Sequence, residues 1–215
     1  MTTSNKPSTS DATKLYAHVV LDRSGSMHSC AAEAVSGYNG YVATLPPGAR
    51  VSLTLFDTEG IDLVRDGVET AAAGLVDGEY APRGGTPLYD AIGLTIAEAE
   101  KRSSGFDRVA LVILTDGFEN ASEKFRRDDI LKLLTRKQEQ DGWLVVYLGA
   151  NQDAWAVGES FGAAGLNSLS FDQANVEVAL ASAGDATNRF LASDNAQIGR
   201  RRAAFSADER SRAKK

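Results

Sequence analysis

Short apolar runs separated by polar segments recur along the chain, and the spacing within each run predicts strands that alternate with helices. Strands are predicted where apolar residues are continuous or alternate with polar ones, at 15–21, 51–56, 61–68, 108–114, 143–148 and 167–171. Helices are predicted at 29–45, 88–101, 128–140, 153–161 and 173–191. This order, with one early hairpin, predicts a doubly wound α/β domain. Its central sheet should be mostly parallel, with one antiparallel edge strand and helices on both faces.

Polar clusters follow three of the predicted strands. They lie at 22–26, at 115–117 after the nearly continuous apolar strand, and at 149–151 after the next strand. The loop at 84–86 opens a helix, and we expect it to reach the same edge of the sheet. Ligands of parallel α/β sheets bind outside the carboxyl ends of the strands. The sequence therefore predicts a binding site at this edge.

The first of these clusters carries oxygen groups at alternate positions. Asp22, Ser24 and Ser26 leave the end of the first strand together. Hard oxygen groups in this arrangement suit a hard divalent cation such as Mg²⁺. The alternative interpretation is structural, because the same side chains could cap the helix that follows. A real metal would make the protein either a metal-dependent binder or a metal-dependent enzyme.

The order Asp-x-Ser-x-Ser, Gly-Gly-Thr-Pro and Thr-Asp-Gly resembles the metal-ion-dependent adhesion site of the von Willebrand factor type A (vWA) domain family. All five motif positions match: Asp22, Ser24, Ser26, Thr86 and Asp116. Sixty residues separate Ser26 from Thr86, and 30 separate Thr86 from Asp116. The resemblance covers roughly 15–191 and is greatest to the stand-alone bacterial and phage members of the family.

The resemblance implies a Rossmann-like vWA fold and a bound divalent ion, Mg²⁺ with Mn²⁺ or Ca²⁺ as alternatives. The five motif side chains would hold the ion, and waters would complete its shell. Asp116 has a second possible role, since it could orient a water or a hydroxyl instead of touching the metal. A protein partner would supply a Glu or Asp to the ion. The sequence names neither that partner nor the oligomeric state.

Enzyme functions lack their usual residues at this site. A phosphatase of the aspartyl-phosphate type would need a second Asp where Ser24 stands, and no Gly-x-Ser-x-Gly surrounds Ser26. His18 and His28 are the only histidines, and no P-loop lysine motif occurs. We therefore expect a binding protein and not an enzyme. The alternatives are a metal-dependent hydrolase or phosphoryl-transfer enzyme at the same site, and an assembly protein whose metal only stabilises the loops.

Charge is distributed unevenly along the chain. The net charge is −6, but the stretch 189–215 carries eight basic and three acidic residues, a net +5 that leaves −11 for the rest. The acidic body would repel phosphate, so we expect no nucleic-acid partner. The sequence predicts a disordered tail at 1–13, the vWA domain at 14–191 and a basic tail at 192–215.

Composition also bears on location. No apolar run approaches the roughly 20 residues that span a bilayer, so we expect no membrane partner. Residues 1–14 lack the apolar core of a secretory signal, and Cys30 is the only cysteine. These features predict a cytoplasmic protein.

Several residues flank the predicted metal site. Arg23, His28, Arg83, Phe118 and Asn151 are candidates for a rim that sets partner choice, with ordinary surface positions as the alternative.

Overall fold

A computed structural model of the chain describes residues 13–76, 78–150, 154–160 and 167–214. Its six-stranded sheet has the order β3-β2-β1-β4-β5-β6. The strands are β1 Leu15–Asp22, β2 Arg50–Asp57, β3 Gly60–Glu69, β4 Arg108–Thr115, β5 Leu144–Ala150 and β6 Ser168–Phe171. All neighbouring strands are parallel except β2 and β3, which form the hairpin. The predicted mostly parallel sheet with an antiparallel edge strand is confirmed.

Helices cover both faces of this sheet. They are α1 Ala31–Thr44, α2 Leu88–Arg102, α3 Arg127–Glu139, α4 Ala154–Ser160, α5 Val176–Leu191, α6 Ala196–Arg202 and α7 Ala207–Arg212. Short 3₁₀ turns, Gly25–Cys30 and Gln173–Asn175, lead into α1 and α5. No helix in the described ranges is long and apolar enough to cross a membrane.

Two apolar cores lie on the two sides of the sheet. Alternate residues of β1 belong to opposite cores, because successive side chains of a strand point to opposite faces. One core packs against α1 and α5, and the other packs against α2 and α3. Every residue of β1, and all of β4 except Arg108, is buried, which agrees with the continuous apolar pattern of strands covered on both faces.

The register of β1 and β4 determines which residues meet at the carboxyl edge. Leu21 lies opposite Leu114 on one side and Leu55 on the other. Because these strands are parallel, Asp22 and Thr115 leave the sheet at the same edge. The fold thus brings together loops that are about 90 residues apart in the sequence.

The basic segment after Leu191 contains α6 and α7. Asn195 accepts hydrogen bonds from the first turn of α6, and Ser206 and Glu209 form a capping box at α7. Ala203, Phe205 and Ala213 are buried in the same core as α5 and β6. Within the predicted N-terminal tail, only Thr13 belongs to the described ranges.

Candidate metal site

Backbone hydrogen bonds join the loop that follows β1 to the loop that precedes α2. The Gly25 N–H donates to the Gly84 carbonyl at 3.0 Å, and the Arg83 N–H donates to the Arg23 carbonyl at 2.8 Å. Gly84 has a φ of +63°, and a Cβ built there would lie 2.2 Å from Thr58 Oγ1. Only glycine tolerates both this conformation and this approach. Gly84 therefore allows its loop to lie close to Thr58 in the β2–β3 turn, and Gly25, where a Cβ would lie 3.3 Å from the Gly84 carbonyl oxygen, allows the two loops to lie side by side.

Asp22 forms the buried base of the site. Its Oδ1 accepts the Ser24 backbone N–H at 2.7 Å, and its Oδ2 accepts the Thr115 hydroxyl at 2.5 Å. Burial raises the pKa of Asp22 to about 6; the hydrogen bonds from Thr115 and Ser24 oppose this shift, and the charge of Asp116 adds to it. A buried carboxylate of this kind is stabilised in its charged form by a nearby cation.

The hydroxyls and the second carboxylate extend from this base towards the surface. Ser24 Oγ lies 3.1 Å from Ser26 Oγ, and Ser26 Oγ donates to Asp116 Oδ1 at 2.5 Å. The remaining hydroxyl lies beside this pair, since a Cβ built on Gly117 would lie 3.0 Å from Thr86 Oγ1 and 3.6 Å from Ser26 Oγ. The structure thus brings all five sequence-predicted residues to one place.

These residues form a set of oxygen donors that fits a small, hard cation. The set contains two carboxylates and three hydroxyls, and Mg²⁺ is commonly bound through one or two carboxylates with several waters. In the described part of the chain, no group of three or more His, Cys, Asp or Glu side chains could hold a metal ion. A metal at this edge would therefore depend on the serine and threonine hydroxyls.

Two residues that the sequence did not reveal hold Thr86 and Asp116 in place. Asn120 Oδ1 accepts the Thr86 N–H at 2.9 Å, and the Asn120 N–H donates to the Thr86 carbonyl at 3.2 Å. Gln173 Nε2 donates to Asp116 Oδ2. Asn120 follows Asp116 by four residues, but no spacing rule predicts its side-chain direction.

Two carboxylates away from the metal positions hold the loop that carries Asn120. Glu119 Oε1 accepts the N–H groups of Ala121 and Ser122, at 2.9 and 2.7 Å. Asp90, in the first turn of α2, accepts three further backbone N–H groups of the same loop, those of residues 123–125. A loop with so many satisfied N–H groups is held in one conformation. It therefore gives Asn120 a fixed position from which to hold Thr86.

Arg23 does not lie on the rim of the site as predicted. Its side chain is 9% exposed and turns towards the hairpin, where Nε lies 2.6 Å from Asp57 Oδ2 and NH2 lies 2.7 Å from Asp62 Oδ2. Burial opposes ionisation of Asp57, but hydrogen bonds from Arg23, the Glu59 N–H and Arg83 hold its pKa below the ordinary value. This ion pair ties the loop after β1 to the β2–β3 turn.

Of the other rim candidates, Phe118 is 66% exposed and lies two residues after Asp116. His28 is also exposed, and the side chain of Arg83 is 43% exposed. Asn151 lies outside the described residues.

No protein-family model matches the sequence, and no curated protein matches it. The fold is similar to that of solved vWA domains. A von Willebrand factor type A structure from Catenulispora acidiphila has a TM-score of 0.64 and 16% identity, over 83% of this chain and 43% of that chain. This chain therefore spans less than half of that protein.

Two further structures extend the comparison. The vWF domain of the type V pili tip protein Mfa5 from Porphyromonas gingivalis has a TM-score of 0.66 and 11% identity, over 86% of this chain and 99% of that domain. The manganese-loaded TRAP protein of Plasmodium vivax has a TM-score of 0.52 and 16% identity, over 63% and 57% of the two chains. The chain has a vWA fold, as the sequence motifs predict.

Proposed function

We propose that this protein is a divalent-metal-dependent protein-binding domain. In this proposal Asp22, Ser24, Ser26, Thr86 and Asp116 hold Mg²⁺, and a Glu or Asp of a partner protein completes its shell. The observation that carries the proposal is the hydrogen-bonded cluster of two carboxylates and two serine hydroxyls, with Thr86 beside it, at the carboxyl edge of a vWA fold. The similar TRAP structure is manganese-loaded, which supports the binding of a divalent ion.

The arrangement of the donors favours binding of a further carboxylate. Asp116 accepts a hydrogen bond from the Ser26 hydroxyl, which leaves lone pairs of the Ser26 oxygen available to a cation. Asp22 is engaged by the Ser24 N–H and the Thr115 hydroxyl. The three hydroxyls are neutral donors, so a bound ion would keep much of its positive charge for an incoming anion. We propose that the exposed ring of Phe118, two residues after Asp116, offers an apolar contact to the same partner.

His18, one of the two histidines in the chain, lies away from the site. His18 lies in the middle of β1, with Nε2 2.8 Å from Thr54 Oγ1, and is buried in the sheet away from the loops. It therefore offers no base to a substrate at the metal edge. We propose that the protein is not an enzyme.

We also propose a cytoplasmic location. The single cysteine, Cys30, is buried, and burial raises the pKa of its thiol to about 12. Such a thiol is inert towards disulfide exchange and agrees with a reducing compartment.

Affinity capture from the native cell tests the function. Lysate is passed over the immobilised protein with Mg²⁺ and with chelator, using wild type and the double variant Asp22→Ala/Ser24→Ala. Asp208→Ala/Ser211→Ala makes a matched control, because it removes the same groups from exposed positions in the C-terminal helix α7. We expect a protein that is captured by wild type and by the control only with Mg²⁺, and never by the site variant.

Two outcomes would contradict the proposal. Partners that survive both chelation and the site substitutions would show that binding does not use the metal. Turnover of a phosphoester with Mg²⁺ that is lost in the site variant would show an enzyme instead.

A further inference from the structure

Gln173 reaches the candidate metal site from the opposite end of the sequence. It opens the 3₁₀ turn Gln173–Asn175 between β6 and α5. Its Nε2 donates to Asp116 Oδ2 and lies 3.4 Å from the Ser26 carbonyl oxygen. Its Oε1 accepts the Ser29 hydroxyl at 3.1 Å. One amide therefore contacts two of the three loops that carry the site residues, the loop after β1 and the loop after β4.

These contacts engage both oxygens of Asp116. Ser26 donates to Oδ1, and Gln173 donates to Oδ2. A carboxylate held by a donor on each oxygen has its plane fixed, and the lone pairs that remain point in fixed directions. Because an amide is neutral, Gln173 fixes Asp116 without adding charge to the site. Arginine or lysine in its place would repel the cation.

The turn that carries Gln173 is itself braced. The Asn175 N–H donates to the Asp172 carbonyl at 2.7 Å. The Ala213 carbonyl, at the end of α7, accepts the Asp172 N–H at 2.9 Å and Asn175 Nδ2 at 3.2 Å. The C-terminal helix thus supports the turn from behind, and the amide of Gln173 is presented from a fixed backbone.

We propose that Gln173 is a positioning residue of the metal site, which sets the affinity for the cation by holding Asp116 and joining it to the turn that follows Ser26. The proposal rests on the proposed function, because it assumes that the five residues bind a divalent ion. Residues that orient metal ligands through hydrogen bonds change metal affinity by about 10–100-fold when they are replaced. Gln173 orients Asp116 in this way through its hydrogen bond to Oδ2.

Calorimetric titration of the full chain with MgCl₂ tests the proposal. Gln173→Met keeps the length of the side chain and removes its hydrogen bonds, and Gln173→Ala removes both. We expect each variant to bind Mg²⁺ about tenfold more weakly than wild type. Gln140→Met and Gln140→Ala are the controls, since Gln140 is exposed at the end of α3. We expect them to bind Mg²⁺ as wild type does.

Ser29→Ala separates positioning from packing. Ser29 holds the far side of the Gln173 amide, so its loss should weaken Mg²⁺ binding less than Gln173→Met does. The double variant should bind no worse than Gln173→Met alone, because the hydroxyl acts through the amide. Melting temperatures in chelator are measured for every variant. A residue that only stabilises the fold would change these temperatures and leave the affinity of the folded protein unchanged.

The outcomes distinguish this inference from the function on which it rests. If wild type binds Mg²⁺ and both Gln173 variants bind it within twofold of wild type, the positioning role is wrong and the metal site stands. If wild type itself binds no Mg²⁺, the proposed function fails and the inference fails with it.

Discussion

Two clusters of polar side chains lie along β1, one in its middle and one at its carboxyl end. In the middle, His18 Nε2 lies 2.8 Å from Thr54 Oγ1, and Nδ1 lies 3.3 Å from the Tyr16 hydroxyl. Tyr16 in turn donates to Ser52 Oγ, which accepts the backbone N–H of Gly67. Each polar atom of this cluster is paired with a neutral group inside the sheet.

The cluster at the end of β1 has a different composition. Asp22 and Asp116 are carboxylates, and the serine hydroxyls between them lie 3.1 Å apart. Asp22 is buried, whereas Ser26 is exposed, so the cluster opens to solvent at one end. Its two carboxylates give it more acceptor oxygens than donors and a negative charge, which a bound cation can balance.

Polar groups are buried in both clusters, so burial of polar groups does not by itself indicate function. The cluster around His18 is closed and neutral, and its role is to satisfy hydrogen bonds in the core. The cluster around Asp22 is acidic and open, which is the state expected of a binding site. Three predictions, in order of decreasing expected effect, test this difference between the closed and the open cluster.

Asp22→Asn should separate function from stability at the open cluster. Removing a charged ligand should weaken Mg²⁺ binding by about a hundredfold or more, since even outer residues are worth about 10–100-fold. The melting temperature of the metal-free protein should not fall, because burial raises the pKa of Asp22 and so disfavours its charged form. Calorimetry and thermal melting in chelator measure the two quantities. A large loss of metal-free stability with unchanged Mg²⁺ affinity would make Asp22 structural.

Acid should destabilise the protein through the closed cluster. Burial is the main cause that lowers the pKa of His18 from 6.5 to about 3; the charge of Arg102 lowers it further, and Asp66 and Glu98 oppose this. The unfolded chain therefore binds a proton that the folded chain excludes. The contribution of neutral His18 to the free energy of unfolding is fully present above pH 6.5. It falls by about 1.4 kcal/mol for each pH unit between 6.5 and 3.

Urea unfolding at pH 7.5 and pH 5 measures this dependence. We expect wild type to lose about 2 kcal/mol from His18 between these conditions. His18→Gln should lose about 2 kcal/mol less stability than wild type over the same interval. His28 is exposed, so His28→Gln should lose as much stability as wild type does. Equal losses in wild type and His18→Gln would mean that His18 is not the buried neutral group described here.

Phe118→Ala should have the smallest effect on the protein itself. The ring is 66% exposed, so stability should change by less than about 0.5 kcal/mol, and Mg²⁺ affinity should be unchanged. Capture of the Mg²⁺-dependent partner should be reduced if the ring contacts it, as the proposed function expects. Full capture with Phe118→Ala would remove Phe118 from the binding surface and leave the metal site in place.

Much of the fold could be predicted because the apolar pattern of each main element is long and regular. The strand β4 and the helix α2, for example, differ from their predicted ranges by one residue. The helices α6 and α7 were not predicted. They are seven and six residues long, and the apolar residues beside them, such as Phe205 between the two helices, become part of the core only by packing against α5 and β6.

The site could be predicted only in part for a related reason. The five motif residues have fixed types at fixed positions, and the parallel strands bring them to one edge. Asn120 and Gln173 act through side-chain hydrogen bonds across 34 and 57 residues, and the geometry of these bonds depends on side-chain direction. Arg23 was predicted to be a rim residue because it flanks the predicted metal ligands, but two carboxylates of the hairpin hold it inside.

Anomalous diffraction from crystals soaked in Mn²⁺ would show whether the five residues hold a cation, because it locates the ion without reference to any partner. We expect one strong peak at about 2.2 Å from the hydroxyl oxygens of Ser24, Ser26 and Thr86, with an open position towards solvent. The peak should disappear in Asp22→Asn crystals treated in the same way. A peak elsewhere, or none at these oxygens in crystals that bind Mn²⁺, would contradict the account.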